Sequence, residues 1–522
     1  LWHTLSLHDA LPISDKGMST IRILRDIQVE WAAGGTLGPI VHLRHAGKPY
    51  LLWLPEVSLS AQLDQHSRIS PKGKIHHQWR FHKDLTLRLY IYRQEQEQKI
   101  FIPLFVTAGD IDPSVVEFST LKECECRLYL KSEWFVASDP SDIWKYLING
   151  SIYDPRSCPP VEKRFKCQQC AYAWWTYFDY LHKETRKKIW LVLRNEVAFC
   201  ALKDMDDAGA WRNGFWSDEM EIHSRFQLDG LHLLISQYER TRSQEWLDAA
   251  KRGMRFVQEQ LTDPLEDGSI WYLHDDVHAS KRHKIKSTAF GKSPGNSLCL
   301  NTHIQALTVL HRLCLHGDKE KDTYERMFRD GIQALQRVMS HQPADSLYRF
   351  LVPRMLAVTR DAGRSTIGLI KNRLEKRILK KIYWKVRARF PRLVQPNGFI
   401  ERDLTVEAAS DRYHVTNLKD LLTLYLQRPL PWLRSYIVEG FEYLLDYLRK
   451  ACIETAIRRS PYFIEVAEIM YMYDQAIQSV SPKDFCYIVE GIQKETHGSS
   501  LDSIAKEALF WFTLKDIRKA FE

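Results

Sequence analysis

"FQLDGLHLLISQYERTRSQEWLDAAKRGMRFVQEQL", residues 226–261, decides the fold class of this chain. Its first half, up to Tyr238, is apolar or small around most of a helical circumference. The second half begins after Ser243 and sets Trp246, Leu247, Ala250, Met254 and Val257 at helical spacing, with charges between them. A helix buried on most sides, then a short turn, then a one-sided helix make an inner and outer pair. The alternation returns at 296–316 and 322–340. Helical spacing also marks "CAYAWWTYFDYLHKE" (170–184), "NLKDLLTLYLQ" (417–427), "WLRSYIVEGFEYLLDYLRKA" (432–451) and "PYFIEVAEIMYMYDQAI" (461–477). Such pairs stack into an (α/α) toroid, whose long loops gather at one end. A protein-binding solenoid would need a constant repeat length, and none is visible.

Upstream the period changes. "PYLLWLPEVSLSAQL" (49–63), "LTLRLYIYR" (85–93), "QKIFIPLFVT" (98–107) and "CECRLYLKSEWFVAS" (124–138) read as short strands between turns. The expected fold class is therefore multidomain, β plus all-α. A β-sandwich or barrel-like domain spans 18–150, with a connecting helix at 139–150. Connecting and first helices span 151–204, and the toroid spans 205–522. Residues 4–13, "TLSLHDALPI", resemble a translated sequencing adapter, so 1–17 are read as an artefact with the chain proper starting at Met18. A leader upstream of Met18 stays open. From Met18 onward no apolar run is long enough to span a bilayer, and a cytoplasmic protein is expected.

The 522 residues are 12% aromatic, with 16 Trp and 23 Tyr, which suits a large helical core or the covering of sugar faces. Ten cysteines are scattered, with one CxC (Cys124, Cys126) and one CxxC (Cys167, Cys170); reduced thiols are expected. The net charge of +9 is concentrated: residues 364–392 hold eleven Lys/Arg against Glu375, leaving the rest of the chain near −1. One basic arm on a near-neutral protein argues against nucleic acid as a partner.

Four loop stretches carry the chemistry-bearing side chains. They are 211–230 (Trp216, His223, Arg225, Gln227), 267–284 (Trp271, Tyr272, His274, Asp275, Asp276, His278), 344–354 (Tyr348, Arg349, Arg354) and "SDRYHVTNLKDLLTLYL" at 410–426 (Tyr413, His414). One carboxylate beside a His is a useful unit for proton transfer. His274, Asp276 and His278 also alternate at a spacing that can ligate a metal, but neither a metal nor a cofactor is expected.

Taken in order, these stretches resemble the C-terminal domain of glucuronyl C5-epimerases. "FQLDGLHLLISQYERTRSQEWLDAAKRGMRFV" is similar to the family's Gln-bearing helix and its successor. "SPGNSLCLNTHIQALTVLHRL" matches its Asn-bearing helix at Asn301. "YERMFRDGIQALQRVMSHQPADSLYRF" leads to Tyr348 on a Tyr-bearing strand or turn, and "DRYHVTNLKDLLTL" puts Tyr413 and His414 on the family's Tyr-His. The likeness covers roughly 205–450. Where the family carries Glu-Glu-Tyr-Pro, this chain has Leu273, His274, Asp275 and Asp276.

The resemblance implies an isomerase that inverts C5 of uronates in an acidic polysaccharide or lipid-linked glycan. Tyr413 and Tyr348 would handle protons, with His274 or Asp275 as the opposing base. Arg349 or Arg354 would hold the carboxylate. His414, Asn301, Gln227, Tyr272, Trp271 and Trp216 would line the substrate. A polysaccharide lyase or glycoside hydrolase on the same toroid is an alternative, as is an inactive glycan-binding protein. The basic insertion, about 360–410, repeats Ile370, Leu374, Ile378, Ile382 and Val386 every four residues among its cations. Three readings compete for it: an anionic membrane surface bound through 365–390 at the inner membrane, an acidic glycan, or an ordinary packed helix.

Overall fold

The computed structural model describes residues 166–213, 221–276, 289–316, 320–360, 366–404, 411–450 and 461–477, and shorter segments between 18 and 154. Chain contacts divide it into two units, Leu1–Asp206 with Trp211–Trp216, and Asp207–Ala210 with Ser217–Glu522.

In the first unit, nine strands form two antiparallel sheets. One runs Met18–Arg22, Thr86–Ile91, Ile69–Phe81, Val57–Leu63, Lys99–Phe101 across its width. The other runs Gln28–Gly35, Gly38–His45, Lys48–Trp53, Phe105–Ala108. The strand expected at 124–138 lies outside the described residues. The helix expected at 139–150 is corrected at its end, most of its first half lying outside the described residues: Leu147–Ile148 pairs with Ser151–Ile152 in a hairpin, and Gly150 has φ 70°. The Asn-Gly dipeptide explains it, because a two-residue hairpin turn needs positive φ. Helices α1 (Gln168–Thr185) and α2 (Lys188–Asp204) follow as a pair. The CxxC opens α1, where the Cys167 sulfur accepts from the Cys170 amide at 3.3 Å. Trp174, Phe178 and Trp190 stack in series at 5.4 and 6.0 Å between ring centres, so aromatic content here builds core.

The second unit is layered as the patterning predicts. Helices α3 (Ser224–Thr241), α5 (Leu300–His316), α9 (Asp411–Gln427) and α11 (Pro461–Ala476) touch in sequence as an inner row. Helices α4 (Gln244–Gln260), α6 (Lys321–Ser340) and α10 (Pro431–Lys450) each pack outside the inner helix before them. Burial follows the sequence: every residue of α3 from Ser224 to Gln237 is buried, whereas α4 buries one stripe, Trp246 to Val257. Between the pairs lie a hairpin, Thr262–Pro264 with Ile270–Tyr272, and two further helices, α7 (Asp345–Arg360) and α8 (Thr366–Arg389). No described helix is long and apolar enough to cross a membrane.

A repeat without constant length runs through these pairs. Gly209 (φ 93°) lies so close to the Arg252 carbonyl, in α4, that a Cβ would sit 2.6 Å from it. Gly398 (φ 84°) meets the Glu439 carbonyl, in α10, closer still. Each contact falls one residue before an outer-helix glycine, Gly253 and Gly440. In the fourth position of α5 and α9 stands a buried histidine. The Nδ1 of His303 accepts from the Tyr272 amide at 3.1 Å and its Nε2–H donates to the Gly331 carbonyl at 3.0 Å. His414 repeats this with the Ile400 amide (2.9 Å) and the Gly440 carbonyl (3.0 Å). The aromatic residue just before each amide lies on the ring: Trp271 on His303 at 3.9 Å and Phe399 on His414 at 5.3 Å. Burial pulls both imidazoles down, to about 3 and about 4, which keeps them neutral as this bonding requires. Gln227 takes the same helical position in α3.

Candidate functional site

The starts of α3, α5 and α9 collect one cluster of charged and proton-handling side chains. His223 precedes α3, and its imidazole lies 4.6 Å from that of His274. His274 and Asp275 follow the strand Ile270–Tyr272 after Leu273. A backbone bridge between His223 and Asp275 fixes this edge, reinforced by the Ser224 amide on the His274 carbonyl at 3.0 Å. The Asp275 carboxylate meets the His274 Nδ1 at 2.6 Å, and both side chains remain about one-fifth exposed. This leaves the His274 Nε2 as its second proton site, oriented by a carboxylate. Asp276 does a different job. Its carboxylate accepts the amides of Glu221 (3.3 Å) and Ile222 (3.1 Å), which ties the approach to α3 against this loop. Burial lifts Asp276 above the ordinary carboxylate range in spite of those amides.

The cations here are Arg225 and Arg402, not the Arg349 or Arg354 expected to hold a carboxylate. Arg225, in the first turn of α3, is buried and pairs with Asp420 of α9 at 3.1 Å. Arg402 precedes α9; its guanidinium lies 4.9 Å over the Tyr413 ring and 3.2 Å from the Asp403 carboxylate. Burial first, then the nearby His274, Arg225 and Arg402, hold the His223 imidazole well below its usual value, although Asp275 pulls the other way. Cys299, just before α5, donates to the Asn301 Oδ1 at 2.9 Å, and burial pushes its thiol up. The arrangement therefore combines a carboxylate-oriented imidazole, a second neutral imidazole, a phenol and two guanidiniums.

Arg402 is held by a buried node. Its neighbour Glu401 is fully buried, paired with an equally buried Arg387 from α8, and bonded by the Tyr383 hydroxyl at 3.0 Å. Arg387 also donates to the Asp403 carbonyl at 2.8 Å, and Asn417 donates to the Glu401 carbonyl at 2.9 Å. The basic insertion thus grips both residues flanking Arg402. Arg387 comes from a separate helix, and its pairing with Glu401 left no local signal.

The other expected site residues divide. Tyr413 is half-buried in the cluster, in a helix that starts at Asp411 instead of near Asn417. Asn301 is buried at the start of α5, where its Oδ1 also accepts the Thr302 amide at 2.9 Å. Gln227 is buried in α3, and Trp216 lies outside the described residues.

Corrections apply to the rest. Trp271 and Tyr272 are fully buried, with the Tyr272 hydroxyl on the Gln258 side chain at 3.2 Å, so neither ring can face a sugar. His414 serves the packing device described above. Tyr348 lies within α7 and not on a strand or turn. Its hydroxyl donates to the Phe390 carbonyl at 2.7 Å, and burial raises it to about 12. Arg349 and Arg354 are exposed, on Asp345 (2.5 Å) and over the Phe350 ring (3.6 Å). Helical phase explains these positions: Tyr348, Leu351 and Val352 share the inward side of α7, which turns Arg349 outward. Among the described residues no group of three or more His, Cys, Asp or Glu side chains is arranged to hold a metal.

No protein-family model and no curated protein matches this chain. Among solved structures, it is similar to an unsaturated glucuronyl hydrolase specific for heparin (12% identity over 60% of this chain and 77% of that one, TM-score 0.33). It is also similar to a polysaccharide lyase (12%, 53% and 59%, TM-score 0.32) and to the cellobiose 2-epimerase of Bacillus thermoamylovorans B4167 (14%, 53% and 75%, TM-score 0.28). The chain spans 59% of the length of that lyase and 61% of a C. acetobutylicum glycoside hydrolase of family 105. TM-scores of 0.28–0.33 are too low to carry activity across.

Proposed function

We propose that the second unit is an α/α-toroid enzyme that acts on uronates of an acidic polysaccharide and inverts them at C5. The observation that carries this reading is the Asp275–His274 pair at 2.6 Å, in one cluster with Tyr413 and Arg402. Inversion at C5 removes a proton α to a carboxylate. The C5–H electron pair moves into the carboxylate, giving an enediolate whose extra charge Arg402 stabilises. The His274 Nε2 accepts the proton, Asp275 stabilises the imidazolium, and the Tyr413 hydroxyl returns a proton to the opposite face of C5. His223, held neutral, sits beside His274 without repelling it as a cation would.

The test is incubation of the full chain with glucuronate-containing polysaccharide in deuterated water. Deuterium at C5 with the chain intact is the expected result, lost in His274→Ala and in Tyr413→Phe. A new 4,5-unsaturated end would replace inversion by elimination, and a new reducing end would indicate hydrolysis. Absence of all three, with binding retained, would refute catalysis.

The exposed Ile378 and Ile382 of α8, among exposed Arg377, Lys381 and Lys385, support presentation of a lipid-linked glycan at an anionic membrane surface. The side of α8 that faces the protein carries Tyr383 and Arg387 instead. Sedimentation with anionic vesicles should fall for Ile378→Asp/Ile382→Asp; unchanged sedimentation would sink this assignment.

A further inference from the structure

A groove of about 870 Å³ lies apart from the cluster, between the end of α6, the Ala289–Gly291 turn and the end of α8. Phe290 and His341 pack edge to face at 4.8 Å in its wall, with the Arg337 guanidinium 5.6 Å over Phe290. On the other side Phe390 is 37% exposed and the exposed Arg389 stacks 5.7 Å over it. That second wall is braced from behind. The Tyr348 hydroxyl holds the Phe390 carbonyl, and Arg392 lies over the Tyr348 ring while pairing with Asp345 at 2.8 Å.

Charge and position narrow the occupant. Glu266 is the acid in the lining, and Arg337 already engages it together with Asp267. Arg389 has no carboxylate partner among the described residues. Burial first, then Arg392 and Arg337, press the His341 imidazole below its usual value. Helix α6 runs antiparallel to α5. From Gly331, which faces His303 in the first turn of α5, it continues nine residues to Ser340, about 13 Å at 1.5 Å per residue. The groove therefore opens at the same end of the second unit as the starts of the inner helices, where the cluster lies.

We propose that this groove is a second binding site for the same anionic sugar chain, engaging units away from the reacting one. Phe390 covers the apolar face of a sugar ring, and Arg389 holds its carboxylate or sulfate. The inference rests on the reading of the cluster as a site for acidic polysaccharide, and it adds a chain-length requirement to it.

The experiment compares short and long glucuronate-containing oligosaccharides on the full chain, by titration calorimetry and by C5 deuterium exchange. The variants are Arg389→Glu and Phe390→Ala, both at exposed positions. Expected is a roughly tenfold loss of affinity for the long oligosaccharide, with binding of the short one and its exchange rate unchanged. Unchanged affinity for the long oligosaccharide in both variants overturns the proposal, as does an equal loss for short and long. If no exchange occurs in any form while the variants still lose the long oligosaccharide, the groove stands and the assigned reaction falls.

Discussion

Replacing Arg387 by Met tests the node that fixes Arg402. Arg387 and Glu401 are both without exposed side-chain area, so the substitution leaves a carboxylate in a dry site. Burial already raises Glu401 above its ordinary value with Arg387 present. Without Arg387 the cheaper state is a protonated carboxyl, and holding a Glu neutral at pH 7 costs about 3.7 kcal/mol. Loss of the bond to the Asp403 carbonyl adds about 1 kcal/mol, partly offset because Tyr383 and Gln395 still bond the carboxyl. The expected destabilisation is about 3–5 kcal/mol. Its pH signature is specific. Because the cost is that of a proton, it should shrink by about 1.4 kcal/mol per pH unit as pH falls from 7 towards 5. Adding Glu401→Gln removes the buried charge, keeps an acceptor for Tyr383, and should recover all but about 1 kcal/mol. The assay is urea unfolding of the full chain, with amide exchange in α9 assigning the transition. A loss under about 1 kcal/mol at pH 7, or no recovery in the double variant, would refute the reasoning.

His303 and His414 should make the protein acid-labile. Their folded values lie near 3 and 4 against about 6.5 unfolded, so the unfolded chain binds more protons as pH falls. Together they should remove about 4 kcal/mol between pH 7 and 5, and His414→Gln should abolish about half of that slope in urea midpoints. Gly398→Ala should destabilise by well over 1 kcal/mol, because both φ 84° and the Glu439 carbonyl oppose a Cβ. Gly268→Ala has the same backbone strain, φ 81°, but open space, so its cost should stay near 1 kcal/mol; equal losses would deny the close approach. Asp275→Asn should slow C5 exchange by roughly a hundredfold with little change in KM, through misorientation of His274. Arg402→Gln should depress both binding and exchange, and unchanged values would remove it from the site.

Elements whose side chains report their own burial were legible from sequence. Helix α3 is apolar or small around most of its circumference and α4 on one stripe, so the inner and outer order was legible from the patterning. His274 and Asp275 were legible as loop residues of a type able to move protons, whereas Tyr413 stands in the first turn of α9. Trp271 was misread because a Trp in a short strand looks the same whether it faces a sugar or lies on His303. Tyr348 was misread because a family motif was matched without its helical phase. The repeat through Gly209 and Gly398 escaped notice because each spacing differs, whereas the contact with an outer-helix carbonyl stays the same.

The sequence by itself determined the change from strands to paired helices, the basic arm and the residue types able to move protons. These depend on local periodicity and composition. Only the tertiary structure decided that Arg402 and Arg225, not Arg349 or Arg354, stand with His274 and Tyr413. Only it turned the basic arm into the source of the buried Arg387. The physical reason is that a guanidinium reaches across several ångströms from any element the fold brings near. Its partner is then set by packing between residues far apart in the chain, which no local pattern records.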